Sequence, residues 1–266
     1  MELATLSTLL IDGDGVLWRG NDAIPGLNHF FEALFHSGID WALLTNNATR
    51  HRDAYLEKLG GFGITARIEQ VFTSANVTAE FLSERFPAGS TVYLLGEEGI
   101  HRTLQEAGFD VRVGPEYPPD ATVVVAGMDR ALNYERLAVA TRLIRAGVPF
   151  IGTNPDRTIP SPLGLLPGAG TTLAALRAST DVEPIVIGKP EPAIFQSAMR
   201  CLNANEDTTA MLGDRLETDI LGAQRVGIGS IGVLTGVMTR QSIENSDYKP
   251  DLVFESIAEL ADALGH

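Results

Sequence analysis

The stretch LLIDGDGVLW, residues 9–18, closes an apolar run with two carboxylates set among glycines. These carboxylates belong to Asp12 and Asp14, which lie two residues apart. Two chemical uses fit such a pair: the start of a calcium loop, or a carboxylate nucleophile beside an acid that transfers protons. A plain turn is the third alternative, because Asp and Gly are frequent turn residues.

A calcium loop of the EF-hand type is excluded by counting its ligand positions. Such a loop needs oxygen ligands at positions 1, 3 and 5, glycine at position 6 and glutamate at position 12. Counted from Asp12, those last three positions hold Val16, Leu17 and Ala23. The residues before Asp12 also read as a strand, where a helix would be required. The nucleophile and the turn remain as alternatives.

Three further polar clusters follow apolar, strand-like runs in the same way. The runs are WALL, PIVI and TAMLG, and the clusters are TNN (45–47), GKPEP (188–192) and DRLETD (214–219). A helical segment follows each cluster, and strands that alternate with helices predict a doubly wound, Rossmann-like α/β core with a parallel sheet. Because ligands bind at the carboxyl ends of such strands, we expect all four clusters to meet in one crevice.

The middle of the chain repeats the alternation and predicts a second, smaller sheet. The segments PAGS (87–90) and STDVEP (179–184) are rich in turn residues and are typical of linkers. We therefore predict a discontinuous core domain, 1–86 and 185–266, and an inserted α/β domain, 87–184.

Composition limits the classes of partner. Asp and Glu number 34 against 20 Lys and Arg, and the net charge of −14 repels nucleic acid and anionic membranes. A single cysteine excludes an intrachain disulfide, which fits a reducing compartment. The first ten residues lack a basic segment, and no apolar run reaches the roughly 18 residues of a membrane span. We expect a soluble, cytoplasmic protein, with a homo-oligomer left open.

The four clusters, in this order, resemble the four motifs of the haloacid-dehalogenase-like (HAD) phosphatases over the whole chain. The matching segments are LLIDGDGVLW, LLTNN, VIGKPEP and MLGDRLETDI. The segments IGTNPD and LPGAG point to class IIA, the NagD-like and p-nitrophenylphosphatase-like branch. The chain departs from the family at Gly13, where a bulkier residue is usual, and at Thr45, where some relatives carry Ser. Trp18, just after the first motif, is predicted to pack near the site entrance.

The resemblance implies a phosphoric monoester hydrolase that forms a phosphoaspartate intermediate. Its substrates would be small phosphorylated metabolites: sugar phosphates, nucleoside monophosphates, phosphoglycolate or p-nitrophenyl phosphate. The alternative is a catalytically weak binding or regulatory protein with the same fold. Loss of any motif carboxylate or of the motif lysine would favour that alternative, and none is lost.

By the same resemblance, Asp12 attacks phosphorus and Asp14 exchanges protons with the leaving oxygen and with water. Two carboxylates and a phosphoryl group repel one another, so a hard cation such as Mg²⁺ is expected. The family pattern assigns its ligands to the Asp12 carboxylate, the Asp14 carbonyl oxygen and the Asp214 carboxylate. Asp219 would lie close by, as an indirect or water-mediated partner. Because Asp214 and Asp219 are five residues apart, one of them must precede the helix.

The resemblance also assigns phosphate binding to the second and third motifs. Thr45 offers a hydroxyl group, Asn46 and Asn47 offer backbone and amide donors, and Lys189 supplies a positive charge. Taken alone, TNN could be a helix N-cap and GKPEP a proline-stiffened turn. Four clusters in the family's order, each after an apolar strand, make coincidence improbable.

The length of chain between motifs locates the insertion. Thr45 and Lys189 are 144 positions apart, far more than one βαβ crossover of about 30 residues needs. The inserted domain thus lies between the second and third motifs, where class II members carry an α/β cap. A cap excludes water and selects the leaving group. Within it, the Gly- and Pro-rich segment 152–170 reads as a long connecting loop.

Overall fold

The computed structural model describes residues 2–161 and 164–265. The strands, numbered in chain order, are β1 (Thr8–Ile11), β2 (Trp18–Arg19), β3 (Asp22–Ala23), β4 (Asp40–Thr45), β5 (Val71–Thr73), β6 (Thr91–Leu95), β7 (Asp110–Arg112), β8 (Ala121–Ala126), β9 (Phe150–Gly152), β10 (Thr158–Ser161), β11 (Gly164–Pro167), β12 (Ile185–Val186), β13 (Thr209–Gly213), β14 (Gly229–Val233) and β15 (Leu252–Phe254). The α-helices are α1 (Leu27–His36), α2 (Arg52–Gly61), α3 (Ser74–Ser83), α4 (Glu98–Glu106), α5 (Tyr134–Arg145), α6 (Ala169–Thr180), α7 (Pro192–Leu202), α8 (Leu221–Val226), α9 (Arg240–Glu244) and α10 (Ile257–Leu264).

The chain divides into two compact units. The first comprises Met1–Thr45, Asp53–Phe72 and Lys189–His266, and the second comprises Asn46–Arg52 and Thr73–Gly188. The predicted domain ranges differ from these units at their junctions, since the second unit also takes in residues 46–52, 73–86 and 185–188. The assignment of the domains as core and cap stays a prediction.

The first unit is built on a six-stranded sheet with the order β15-β14-β13-β1-β4-β5. Strand β1 pairs in parallel with β13 on one side and with β4 on the other. Every residue of β1 and of β13 is buried, which explains why both strands read as continuous apolar runs. The predicted α/β fold with Rossmann-like parallel sheets is confirmed.

Three of the four polar clusters begin where strands of this sheet end. Strand β1 runs into Asp12, β4 ends at Thr45, and β13 runs into Asp214. The fourth cluster departs from the prediction of one shared sheet. Its strand, β12, is two residues long and pairs with β9 in the second unit, while Lys189 itself belongs to the first unit.

The second unit contains a five-stranded sheet with the order β12-β9-β8-β6-β7, in which every pairing is parallel. Its core includes Tyr93, Val124, Leu143 and Phe150. The prediction of one long connecting loop at 152–170 is wrong. Strands β10 and β11 form an antiparallel hairpin there and α6 follows, while residues 162 and 163 of the segment lie outside the described residues.

None of the helices in the described part of the chain is both long and apolar enough to cross a membrane.

Candidate functional site

Three carboxylates of the first unit meet at the carboxyl end of its sheet. One oxygen each of Asp12, Asp214 and Asp219 lies within 4.8 Å of the others. Asp12 and Asp214 follow neighbouring strands, and the Asp12 N–H donates to the Leu212 carbonyl oxygen at 2.9 Å, so the β1–β13 ladder extends to Asp12. The sheet therefore places two of the carboxylates side by side.

Asp219 reaches the cluster through a π-helical turn, Leu216–Ile220, that precedes α8. The Asp219 Oδ2 atom accepts a hydrogen bond from the Arg215 N–H at 3.0 Å, and the Asp219 side chain is 1% exposed. Asp214 lies before the turn, as the spacing requires. Wider π-helical turns occur frequently at functional sites. The Asp219 carboxylate lies close to the other two, and its indirect or water-mediated role stays a prediction.

Lys189 holds the cluster together from a fully buried position. Its Nζ donates to Asp12 Oδ1 at 2.6 Å and to the Leu44 carbonyl oxygen at 3.0 Å, and it lies 2.7 Å from Asp219 Oδ1. An ammonium group has three N–H donors, and three acceptors surround this one. The arrangement fixes the orientation of the Asp12 carboxylate.

The cluster carries an excess of negative charge. Within the cluster, three ionised carboxylates and one ammonium give a net charge of −2. Burial raises the pKa of Asp12 well above its usual range against the opposing charge of Lys189, and the charges of Asp219 and Asp214 raise it further. Burial, with the Asp219 charge, raises the pKa of Asp214 to about 6. Burial acts to lower the pKa of Lys189, but Asp12 and Asp219 outweigh it, and the net direction is upward.

The donor set fits a divalent cation. Asp214 Oδ2 accepts from the Val237 N–H at 2.8 Å, but Asp214 Oδ1 is buried and has no hydrogen-bond partner among the described residues. A buried, unpaired carboxylate oxygen is costly, and a cation would satisfy it. Mg²⁺ binds one or two carboxylates and keeps several waters, so Asp12 and Asp214 could hold it, with Asp219 close by.

Glycines leave the space that the buried carboxylates occupy. A Cβ atom at Gly15 or Gly236 would overlap the Asp214 carboxylate, and one at Gly213 would overlap the Asp219 side chain. Gly15 also has φ +90°, a left-handed conformation that glycine tolerates best. Sequence reasoning missed Gly236, because its only role is to leave room and nothing in its local sequence signals that.

Asp14 and Trp18 follow Asp12 in the first motif. The Asp14 side chain is exposed, and its backbone bridges to Trp18. Trp18 is 0% exposed, and its place near the site entrance stays a prediction. Its indole fills the space next to Gly13, where a Cβ atom would overlap Trp18 Cζ2. The exposed Asp14 carboxyl is free of the ion-pair cluster and accessible for proton exchange.

The predicted phosphate-binding residues fall in both units. Thr45 ends β4 in the first unit and is buried. Asn46 and Asn47 belong to the second unit, where Asn47 Oδ1 accepts from the Thr49 N–H at 2.9 Å and from Thr49 Oγ1 at 2.7 Å. Helix α2 begins only at Arg52, so these bonds close a local Asx turn and do not cap that helix.

Comparison with known proteins gives consistent relatives. A family model described as haloacid dehalogenase-like hydrolase matches residues 9–110, and a HAD-hydrolase-like model matches residues 186–260. An acid sugar phosphatase of Staphylococcus aureus (strain USA300) is 41% identical over 255 residues, which cover 94% of this chain and 96% of that protein.

Solved structures agree with the sequence relatives. The 4-nitrophenylphosphatase of Thermotoga maritima superposes with a TM-score of 0.91 at 35% identity, covering 98% of each chain. A glycerol phosphate phosphatase of Mycobacterium tuberculosis, solved in complex with magnesium, gives a TM-score of 0.87 at 31% identity, covering 99% of this chain and 80% of that one.

Proposed function

Because the chain belongs to the haloacid dehalogenase-like hydrolases, we propose that it is a Mg²⁺-dependent phosphatase of small phosphate monoesters. The observation that carries the proposal is the buried cluster of Asp12, Asp214 and Asp219 around Lys189, with two negative charges to balance. The names of the relatives, which refer to sugar phosphates, glycerol phosphate and p-nitrophenyl phosphate, support substrates of this size.

Asp12 is the proposed nucleophile. One of its carboxylate oxygens bonds to phosphorus while the bond from phosphorus to the leaving oxygen breaks, and Asp14 gives that oxygen a proton. Asp14 then takes a proton from a water molecule that attacks phosphorus. The bond from phosphorus to Asp12 breaks, inorganic phosphate leaves, and both side chains return to their first state. Lys189 keeps Asp12 oriented and partly balances its charge throughout.

Asp12 and Asp214 would hold Mg²⁺, together with the Asp14 carbonyl oxygen that the resemblance assigns. Asp219, whose oxygens lie against Lys189 Nζ and the Arg215 N–H, would act indirectly or through a water molecule. When bound, the ion would neutralise the cluster and offset the repulsion between carboxylates and the phosphoryl group. Thr45, Asn46 and Asn47 are the proposed donors to the phosphoryl oxygens, and Lys189 is proposed to supply a positive charge at the phosphate-binding site.

The second unit is the proposed cap, which would exclude water and select the leaving group. We also propose a cytoplasmic location, which fits the single cysteine and the acidic composition. A small phosphorylated metabolite is the proposed partner, and a homo-oligomer is compatible with the proposal.

Hydrolysis of p-nitrophenyl phosphate by the purified chain tests the function. Activity is expected with Mg²⁺, should stop in EDTA and should return when Mg²⁺ is restored. Asp12→Asn should abolish turnover, whereas Asp22→Asn, on the exposed strand β3, serves as the matched control and should not. Turnover by Asp12→Asn close to wild type would refute the nucleophile, and indifference to EDTA would remove the metal. A wild-type chain that binds phosphate but turns over no ester would favour the binding or regulatory alternative.

A further inference from the structure

Polar side chains of the second unit surround Asn46, the residue that directly follows Thr45 in the chain. The main-chain carbonyl oxygen of Asn46 accepts from Asn154 Nδ2 at 2.7 Å and from Ser74 Oγ at 2.6 Å. The Asn46 side chain in turn donates from Nδ2 to Asp156 Oδ1 at 3.2 Å. Asn46 and Asn154 are only 7% and 5% exposed. Both the backbone and the side chain of Asn46 are therefore held by residues 108 and 110 positions away.

The segment that supplies Asn154 and Asp156 is itself well fixed. It follows β9, and the Thr153 N–H continues the ladder by donating to the Ala126 carbonyl oxygen at 2.9 Å. Asn154 Oδ1 accepts from the Asp156 N–H at 3.2 Å, so the Asn154 side chain also fixes the backbone of Asp156. A rigid strand end can hold a functional loop more accurately than another loop can.

Gly188, which directly precedes Lys189, packs against the same segment. Its N–H donates to the Thr153 carbonyl oxygen at 2.8 Å. A Cβ atom at this position would lie 2.5 Å from Asn46 Oδ1 and 2.7 Å from the Thr153 carbonyl oxygen. The residue after Thr45 and the residue before Lys189 therefore meet at one place.

The peptide bond explains why holding the Asn46 carbonyl group matters. In a trans peptide the C=O of one residue and the N–H of the next lie in one plane and point in opposite directions. Two donors on the Asn46 carbonyl oxygen therefore also fix the direction of the Asn47 N–H. That N–H belongs to the loop proposed to bind the phosphoryl oxygens.

We propose that Asn154 and Asp156 are positioning residues of the phosphatase. They orient the Asn46 peptide and so preset the phosphate-binding loop, Thr45 to Asn47, without contacting the substrate. The inference rests on the proposed function of that loop. It also gives the segment after β9 a specific role, where the sequence indicated only a connecting loop.

Kinetics with two leaving groups test the proposal. Asn154→Ala should lower kcat/KM by about 10- to 100-fold, the scale of a misplaced binding group. The loss should be equal for p-nitrophenyl phosphate and for a hexose phosphate, because both share the phosphoryl group. The inhibition constant of inorganic phosphate should rise by a similar factor. Asp156→Ala should act in the same direction, whereas Asp156→Asn keeps an oxygen acceptor and should retain activity within about threefold of wild type.

Asn133→Ala is the matched structural control. Asn133 caps α5 in the same unit by accepting from the Arg136 N–H, so its loss should lower Tm and leave the phosphate inhibition constant unchanged. The inference is overturned if Asn154→Ala lowers Tm alone, as Asn133→Ala should. It is also overturned if the losses for the two leaving groups differ by more than about threefold, which would indicate contact with the substrate.

Calorimetric binding of inorganic phosphate separates this inference from the proposed function. A wild-type chain without turnover would refute the phosphatase. Weaker phosphate binding by Asn154→Ala would still support the positioning role in that case, and unchanged binding would overturn it.

Discussion

Replacing Gly13 by alanine tests how the first motif is packed. A Cβ atom at this position would overlap Trp18 Cζ2 and would lie 2.9 Å from Cη2 and 3.1 Å from Cε2. The indole has little room to move, because it is fully buried. Its ring centroid lies 6.3 Å from that of Tyr55, and Lys58 Nζ lies 4.0 Å from its ring centre. Inserting one carbon into such a site costs about 1–3 kcal/mol. At about 2–4 °C per kcal/mol, Tm should fall by roughly 2–12 °C.

The same clash should also reduce catalysis, because Gly13 lies between Asp12 and Asp14. We expect kcat for p-nitrophenyl phosphate to fall by up to about 100-fold, as displacement of reacting groups by about 1 Å can cause. Trp18→Leu removes all the clashing atoms. Gly13→Ala should therefore cost less than about 0.5 kcal/mol in the Trp18→Leu background, a coupling of 0.5–3 kcal/mol between neighbours. Denaturant unfolding of the four proteins measures this cycle, and an equal cost of Gly13→Ala in both backgrounds would refute the steric explanation.

Three further predictions concern the charged groups. Lys189→Arg should lower kcat by about 100-fold, because a planar guanidinium does not reproduce three bonds from one nitrogen; phosphatase turnover near wild type would contradict this. Burial raises the pKa of Asp214 to about 6, above its unfolded value of about 3.9. Its contribution to stability is thus fully present below about pH 4 and is lost as the pH rises through about 6. In EDTA, the Tm of Asp214→Asn minus the Tm of wild type should therefore increase from about pH 4 to about pH 7. A difference that stays constant over this range would argue against the raised pKa of Asp214. Arg136→Leu leaves Asp129 buried and unpaired, since their side chains are 10% and 2% exposed; unfolding should become easier by about 3–5 kcal/mol, and a second change, Asp129→Asn, should recover part of that loss.

The strand ends of the first sheet could be predicted from the sequence. Apolar runs that stop at Asp12, Thr45 and Asp214 indicate strands of a parallel sheet. Because ligands bind at the carboxyl ends of such strands, the polar residues at these ends are expected to lie together. Each of these predictions uses a local signal: a run of buried residues, followed by a polar residue. The fold class needed no more than the alternation of such runs with helical segments.

Features that depend on contacts between distant parts of the chain could not be predicted from such local signals. Asp219 enters the cluster because the turn before α8 is π-helical, and the spacing of residues does not indicate such a turn. The two-residue strand β12 joins the second sheet through pairing with β9, about 35 residues earlier in the chain. Asn154 reads as part of a loop, and its role emerges only from a hydrogen bond to Asn46.

The glycines beside Asp214 have a consequence for how this protein tolerates mutation. Gly236 carries no functional group, yet any side chain there would occupy the place of the Asp214 carboxylate. In a saturation-mutagenesis experiment scored by phosphatase activity, Gly15 and Gly236 should therefore accept as few substitutions as the aspartates. A map of intolerant positions would outline the shape of the proposed cation site through residues that carry no ligand atom for it.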